Sequence, residues 1–444
     1  MSFFERWFSN KDAITQQPTV RFGRYSDSYK PTSCYDAWDK ALAFYEKEEY
    51  LQAIKQLLVF LRDEEEDNVH WQDEGSFINF ELYQGSKRVI GWATLHGVRV
   101  EARVARISTP RPELLRRLVE HNYSLKFSRY AIDPDHHVTV VFDSKAIDAS
   151  PYKLYYAIRE LATQADKQDD LLLEEFQQIE AVDSSHLAAL PEQERQIKHQ
   201  YIHDQIRTAL EEVYKGPLNG EEYPGGIACL LLSVVYKIDY LTKPEGFTME
   251  TLERIHRRFF SKEKALSPVQ QNRMMVEELE NLLARSGNDY SREMYQVKAT
   301  FGITAPVTHD RIVSMIDAEM PQMDWYHRKG FLRIAHAYPF YMLGYCLFNY
   351  AVPQPDRDFF HLYFRTAEPA YFQALGFSPA YYDAATGKFN TRLIKKTIEQ
   401  IVQQHKKRYP NLRPAVSSIV YNDMLSFSRS FLLMIRDLDL TRID

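Results

Sequence analysis

Val98-Arg99-Val100-Glu101-Ala102-Arg103-Val104 alternates apolar and polar residues without a slip. Successive side chains of a strand point to opposite faces, so Val98, Val100, Ala102 and Val104 share one face and Arg99, Glu101 and Arg103 the other. This predicts a half-buried strand, and the flanking sequence supplies partners for it. Upstream, Ile78, Phe80 and Leu82 alternate with Phe77, Asn79, Glu81 and Tyr83; Gln84-Gly85-Ser86 makes a turn, and Arg88 to Ala93 returns. A three-strand meander is expected over Phe77 to Ile107.

Working outward, Pro110 and Pro112 punctuate before a short helix, Glu113 to His121, expected to bury Leu114, Leu115, Leu118 and Val119. Lys126 to Ile132 and His137 to Phe142 flank the turn Asp133-Pro134-Asp135-His136 and form a hairpin. Ser150-Pro151 opens a long helix with the stripe Leu154, Ile158, Leu161 and Ala165. On the N-terminal side, Trp38, Ala41, Leu42 and Tyr45, then Ala53, Ile54, Leu57, Leu58 and Leu61, recur at helical spacing around the polar interruption Glu46 to Glu49. That run is either one bent helix or a helical hairpin. Residues 9–32 lack periodicity and read as an extended arm, preceded by a short aromatic docking helix at Met1 to Phe8.

After Ser184 the periods are helical. Pro191 opens a helix that Gly216 closes, Ser267-Pro268 opens another ending near Gly287, and Ile227 to Leu241 is an apolar helix. Thr308 and Asn390 start further helices, and Ile419 to Ile435 is a last one. The expected fold is therefore α+β, with an N-terminal arm at 1–32, an α+β domain at 33–183 and an all-helical domain at 184–444.

Composition narrows the function. A net charge of −6 from 55 basic and 61 acidic residues opposes a dedicated nucleic-acid binder, which needs a basic surface. Three scattered cysteines, Cys34, Cys229 and Cys346, form no disulfide framework and suit a reducing cytoplasm. The aromatic N-terminus lacks the continuous apolar core of a signal peptide. With Gly at only 16 of 444 residues, phosphate-cradling loops are scarce.

Each candidate for chemistry has a plainer reading. His199 and His203 have the i, i+4 spacing of metal ligands, but Gln200, Tyr201 and Ile202 between them omit the Glu of an H-E-x-x-H protease, and the pair borders an apolar stripe. Asp133, Asp135, His136 and His137 read as a solvated turn. Gly216, Gly220, Gly225 and Gly226 lack the Lys-Ser/Thr of a P-loop and read as helix punctuation. Ile334 to Val352 carries no formal charge, yet its four scattered tyrosines and Pro339 favour a buried helix over a membrane span. Lys395, Lys396, Lys406, Lys407 and Arg408 decorate an amphipathic helix. No G-x-S-x-G elbow or kinase signature occurs. No catalytic residue, metal site or cofactor is therefore assigned.

The order helix, three strands, helix, two strands, helix over Cys34 to Val182 resembles the type III secretion chaperone-like superfamily. The resemblance lies in topology: the meander Phe77 to Ile107, the helix Glu113 to His121, the hairpin Lys126 to Phe142 and the helix from Pro151. It implies a non-enzymatic bacterial protein that binds segments of partner proteins and is able to dimerise. It also implies a binding surface on the outward sheet face at Phe77, Tyr83, Arg99, Arg103, Thr139 and Val141, unless the helical domain packs there. The alternative is an enzyme or small-ligand binder with a helical-domain pocket lined by Trp325, His327, His336, Tyr338, Tyr341 and His361.

Overall fold

The structure is a computed structural model and describes residues 17–176, 179–183, 186–261 and 266–442. The expected docking helix at Met1 to Phe8 lies outside the described residues. The apolar run from Trp38 to Leu61 forms a helical hairpin, α1 (Thr32–Glu46) and α2 (Tyr50–Leu61), because Glu48 takes a left-handed φ of 61° and reverses the chain. Leu51, Ile54, Leu57, Leu58 and Leu61 of α2 face the core.

Seven strands follow: β1 (Val69–Asp73), β2 (Phe77–Gln84), β3 (Lys87–Thr94), β4 (Gly97–Ile107), β5 (Arg129–Ile132), β6 (His137–Lys145) and β7 (Ile179–Ala181). Helix α3 (Pro112–Ser124) lies between β4 and β5, and α4 (Pro151–Glu175) between β6 and β7. The sheet is antiparallel in the order β1-β2-β3-β4-β6-β5, and β7 adds to β4 beyond a register shift between Arg103 and Ala105. The meander thus has four strands. β1 escaped the sequence reading because only Val69 among its five residues is fully buried.

The β2–β3 turn is anchored on α4. Asp166 accepts the Ser86 N–H at 2.8 Å, and a Cβ on Gly85, at φ +55°, would fall 1.8 Å from the Asp166 carboxylate. Only glycine fits. Beside it a buried pair joins Lys87 to Asp169 at 2.8 Å, and Lys87 also donates to the Val104 carbonyl at 3.1 Å.

The second half is helical: α5 (Glu192–Lys215), α6 (Pro224–Thr242), α7 (Gly246–Phe260), α8 (Pro268–Ala284), α9 (Gly287–Arg292), α10 (Asp310–Arg328), α11 (Leu332–Asn349), α12 (Gln354–Ala367), α13 (Pro369–Ala374), α14 (Thr391–His405) and α15 (Met424–Arg436). α6 is long and apolar enough to cross a membrane by composition, but 94% of that stretch is buried inside the fold. α11, built from the uncharged run that begins near Ile334, lies along α6. At their crossing a Cβ on Gly344 would meet the Tyr236 Cβ at 2.5 Å, so glycine sets the approach. The last helix starts at Met424 instead of Ile419, because Asp423 caps it by accepting the N–H groups of Leu425 and Ser426 at 2.9 Å.

Two cores result, one drawn from residues between Leu51 and Leu172 and the other from Tyr201 onward. Two segments tie them. Phe301, on the crossing strap between α9 and α10, is 1% exposed and sits in the core of the sheet module. Residues 17–31, expected as an arm, are fastened to both halves: Arg24 pairs with Asp239 at 2.7 Å and Glu253 at 3.0 Å, and Lys30 donates to the Leu61 carbonyl at 3.1 Å.

Candidate protein-binding surface

The alternation of β2 to β4 settles which side chains share the outer face. Ile78, Phe80, Leu82, Val98, Val100 and Ala102 turn inward and are buried, leaving Phe77, Glu81, Tyr83, Arg99, Glu101 and Arg103 on the opposite side at intermediate exposure. The helical domain leaves the part of this face around Arg99 and Arg103 open: their side chains are 39% and 36% exposed. Helical-domain contacts go to Tyr83 at the end of β2 and the β2–β3 turn, to Asp67 and Asn68 before β1, and to α4, where Lys167 meets Glu250 at 2.9 Å.

Ion pairs tile the face. Arg88 meets Glu81 at 2.5 Å, Arg99 meets Glu101 at 3.3 Å, Arg103 meets Asp133 at 3.7 Å, and Arg129 meets Asp143 at 2.5 Å. Such half-exposed pairs contribute about 0–1 kcal/mol each, so they set the pattern of charge more than the stability. Thr139 and Val141 correct the expectation, since both are 3% exposed and do not project into solvent. Register explains it: Val141 lies between Glu101 and Arg129, and Thr139 between Arg103 and Ala131, on β6, which has β4 on one side and β5 on the other.

One end of the face is aromatic. Trp92 stands in register with Asn79 and Arg99, is 41% exposed, and stacks on Phe77 with ring centres 6.5 Å apart and planes 25° from parallel. The sequence reading passed over Trp92, although its phase in β3, opposite to Val89 and Ala93, places it outward. Tyr83 lies at the other end of β2, about 20 Å away at strand rise. There its ring is 5.0 Å from His186 and under the Lys298 ammonium at 5.1 Å, and its hydroxyl donates to Glu81 at 3.1 Å. The structure therefore groups Phe77 and Arg99 around Trp92 and assigns Tyr83 to the domain junction.

Helix α3 carries a second surface. Leu114 and Leu118 are buried as expected, but Leu115 is 38% and Val119 67% exposed, because a helix resting one stripe on a sheet turns the adjacent positions outward. Tyr123, one turn further, is 95% exposed. On the inner side Asn122 accepts the Tyr130 N–H at 2.6 Å and donates to the Tyr130 carbonyl at 3.4 Å, closing the edge of β5 at that residue.

The other candidates fall out separately. Asp133, Asp135 and His137 bring one ligand atom each within 4.8 Å of one another, but Asp133 is committed to the N–H groups of Asp135 and His137 and to the His137 ring, while His136 takes a turn conformation at φ 64°. Trp325 packs on Tyr223, Tyr338 on Tyr326 and Tyr341 on Tyr236, whereas His327 is exposed and His361 is buried against Phe22 and Tyr240. Trp325, Tyr338 and Tyr341 are linked into one packed chain of rings through Tyr326, His336 is half-buried on the same helix as the two tyrosines, and His361 lies in a separate ring cluster, so the six residues do not line one pocket. Two buried acid–imidazole pairs went unread: His309 with Asp356 at 2.9 Å and His405 with Asp358 at 2.6 Å, each joining residues 47 positions apart. Burial pushes both carboxyl groups above their usual range while the imidazoles pull them back.

Fold and surface together define an α+β protein with an open-faced antiparallel sheet joined to a helical domain. A scan against protein-family models returns no match, and a search of curated proteins returns no relative.

Proposed function

We propose that the chain is a non-enzymatic, chaperone-like or regulatory protein of the bacterial cytoplasm that holds a segment of a partner protein on the open sheet face. The observation that carries this reading is the half-exposed Trp92 between Phe77 and Arg99. Trp and Arg anchors of this kind dominate protein interfaces, and a flat face of paired charges around them supplies a polar rim. The resemblance to type III secretion chaperone-like proteins supports the same use of the sheet. The exposed α3 stripe supports self-association into a homodimer, which leaves the sheet face free for the partner.

The test is site-specific photo-crosslinking in cells, with the probe at position 92 or, as control, at the exposed Gln193. Partner adducts specific to position 92, lost when Arg99→Glu is added, are the expected result. Adducts shared with the control, or indifferent to Arg99→Glu and Phe77→Ala, would remove this face from the reading.

A further inference from the structure

His199 and His203 stand on successive turns of α5 with ring centres 4.3 Å apart. The Nε2 atoms of both are buried and have no hydrogen-bond partner. A buried polar atom without a partner is costly to leave unsatisfied, and two on one helix face point to a shared occupant. In the tautomer that carries its proton on Nδ1, each neutral imidazole presents a free Nε2 lone pair that can ligate a metal ion.

Across from the pair is Gly287, where a Cβ would lie 3.7 Å from His199 Cε1 and 4.0 Å from its Nε2. The Tyr290 ring closes one side, 5.0 Å from His199 and 5.6 Å from His203. An open groove of about 500 Å³ is lined by Arg195, one turn before His199 on α5, and by Asn288, Ser291 and Arg292 of α9, the helix that carries Gly287 and Tyr290. Arg195 is neutralised by Glu192, and Asp204, next to His203, is held by Gln200 at 2.9 Å.

We infer that His199 and His203 form a two-imidazole site for a borderline divalent transition ion of the Zn²⁺, Ni²⁺ or Cu²⁺ class, with water completing its coordination. Two imidazoles bound through nitrogens at about 2.0–2.1 Å from one ion put their ring centres about 4.5–5 Å apart, so a small side-chain rotation from the observed spacing suffices. Hard cations such as Mg²⁺ prefer oxygen and are excluded by the donor set. Coordination here would clamp two turns of α5 against α9, whose Tyr290 packs on both rings.

The experiment is calorimetric titration of the full chain with ZnCl₂, NiCl₂ and MgCl₂, beside His203→Gln, Gly287→Val and Asp135→Asn/His137→Gln, each first shown by its melting curve in EDTA to be folded. One site for Zn²⁺ and Ni²⁺ but not Mg²⁺ is expected, weakened more than about tenfold by His203→Gln and by the filled gap of Gly287→Val, and unchanged by Asp135→Asn/His137→Gln. Electron paramagnetic resonance of the unmodified chain with Cu²⁺ should show two nitrogen ligands. Absence of binding, binding indifferent to His203→Gln or Gly287→Val, or an all-oxygen Cu²⁺ spectrum overturns the site.

Discussion

Gln84 and Phe301 hold each other across the two halves of the molecule: the Gln84 amide donates to the Phe301 carbonyl at 3.3 Å and accepts the Phe301 N–H at 2.9 Å. The same carbonyl oxygen of Gln84 accepts the Thr300 N–H at 3.1 Å. A single side chain thus satisfies the backbone of the strap where it enters the sheet module. Replacing Gln84 by Ala strands those groups in a buried place and should cost about 1–3 kcal/mol in urea unfolding. Phe301→Ala should cost about 3–5 kcal/mol and separate the unfolding of the two halves into distinct transitions. A Phe301→Ala chain that still melts as wild type would show that the strap does not couple them.

Lys87 and Asp169 form an ion pair with side chains only 3% and 5% exposed. Removing one partner leaves the other charged and dry, so Lys87→Met alone should destabilise by about 3–5 kcal/mol. The double variant Lys87→Met/Asp169→Leu should recover most of that loss, because two apolar side chains carry no desolvation cost. Equal instability of the single and double variants in urea melts would mean that the Lys87 contact to the Val104 carbonyl, and not the charge pair, matters.

How far these features could be read in advance follows from their range along the chain. β2 to β4 were legible because burial on one face writes itself as alternation, and α5, α8 and α14 because Pro191, Ser267 and Asn390 mark their starts. Thr139 and Val141 were misplaced because a period of two reports facing, not depth. Leu115 and Val119 were misplaced because adjacent apolar pairs such as Leu114-Leu115 do not say which member meets the sheet. The pairing of His309 with Asp356, and the docking of Phe22 and Arg24, depend on tertiary contacts that leave no local period. The unpartnered Nε2 atoms of His199 and His203 likewise emerge only once α9 is in place.

Glu245, between α6 and α7, is buried near Lys243 and Arg24, and burial outweighs those cations to push its carboxyl up to about 7. The folded state therefore binds the proton more tightly than the unfolded chain, whose carboxyl titrates near 4.5. This contribution is fully present below that value, fades as pH rises, and is gone above about 7, a swing of roughly 3 kcal/mol. Glu245→Gln should match wild type at pH 4.5 and exceed its stability at pH 8. The measurement is the difference in urea midpoint at pH 4.5, 6 and 8; a difference that stays constant across them would refute the assignment. His256, which burial lowers to about 4, loses stability toward acid instead, and comparison with the variant cancels it.

Leu115, Val119 and Tyr123 repeat every four residues along the outer side of α3, and the pattern is symmetric about Val119. Two copies of the helix packed antiparallel across a two-fold axis would set Val119 against itself and Leu115 against the partner's Tyr123. Arg116 and Glu120, both exposed, flank the stripe on one side, so each would lie near its opposite charge on the other copy. Self-complementarity of both shape and charge is what an isologous contact requires. Val119→Lys with Tyr123→Glu should leave the chain folded, since both side chains are exposed in one chain, lower the melting temperature only by what association contributes, and shift sedimentation velocity from dimer to monomer. A wild-type chain that sediments as a monomer throughout the micromolar range would refer the stripe to a different partner.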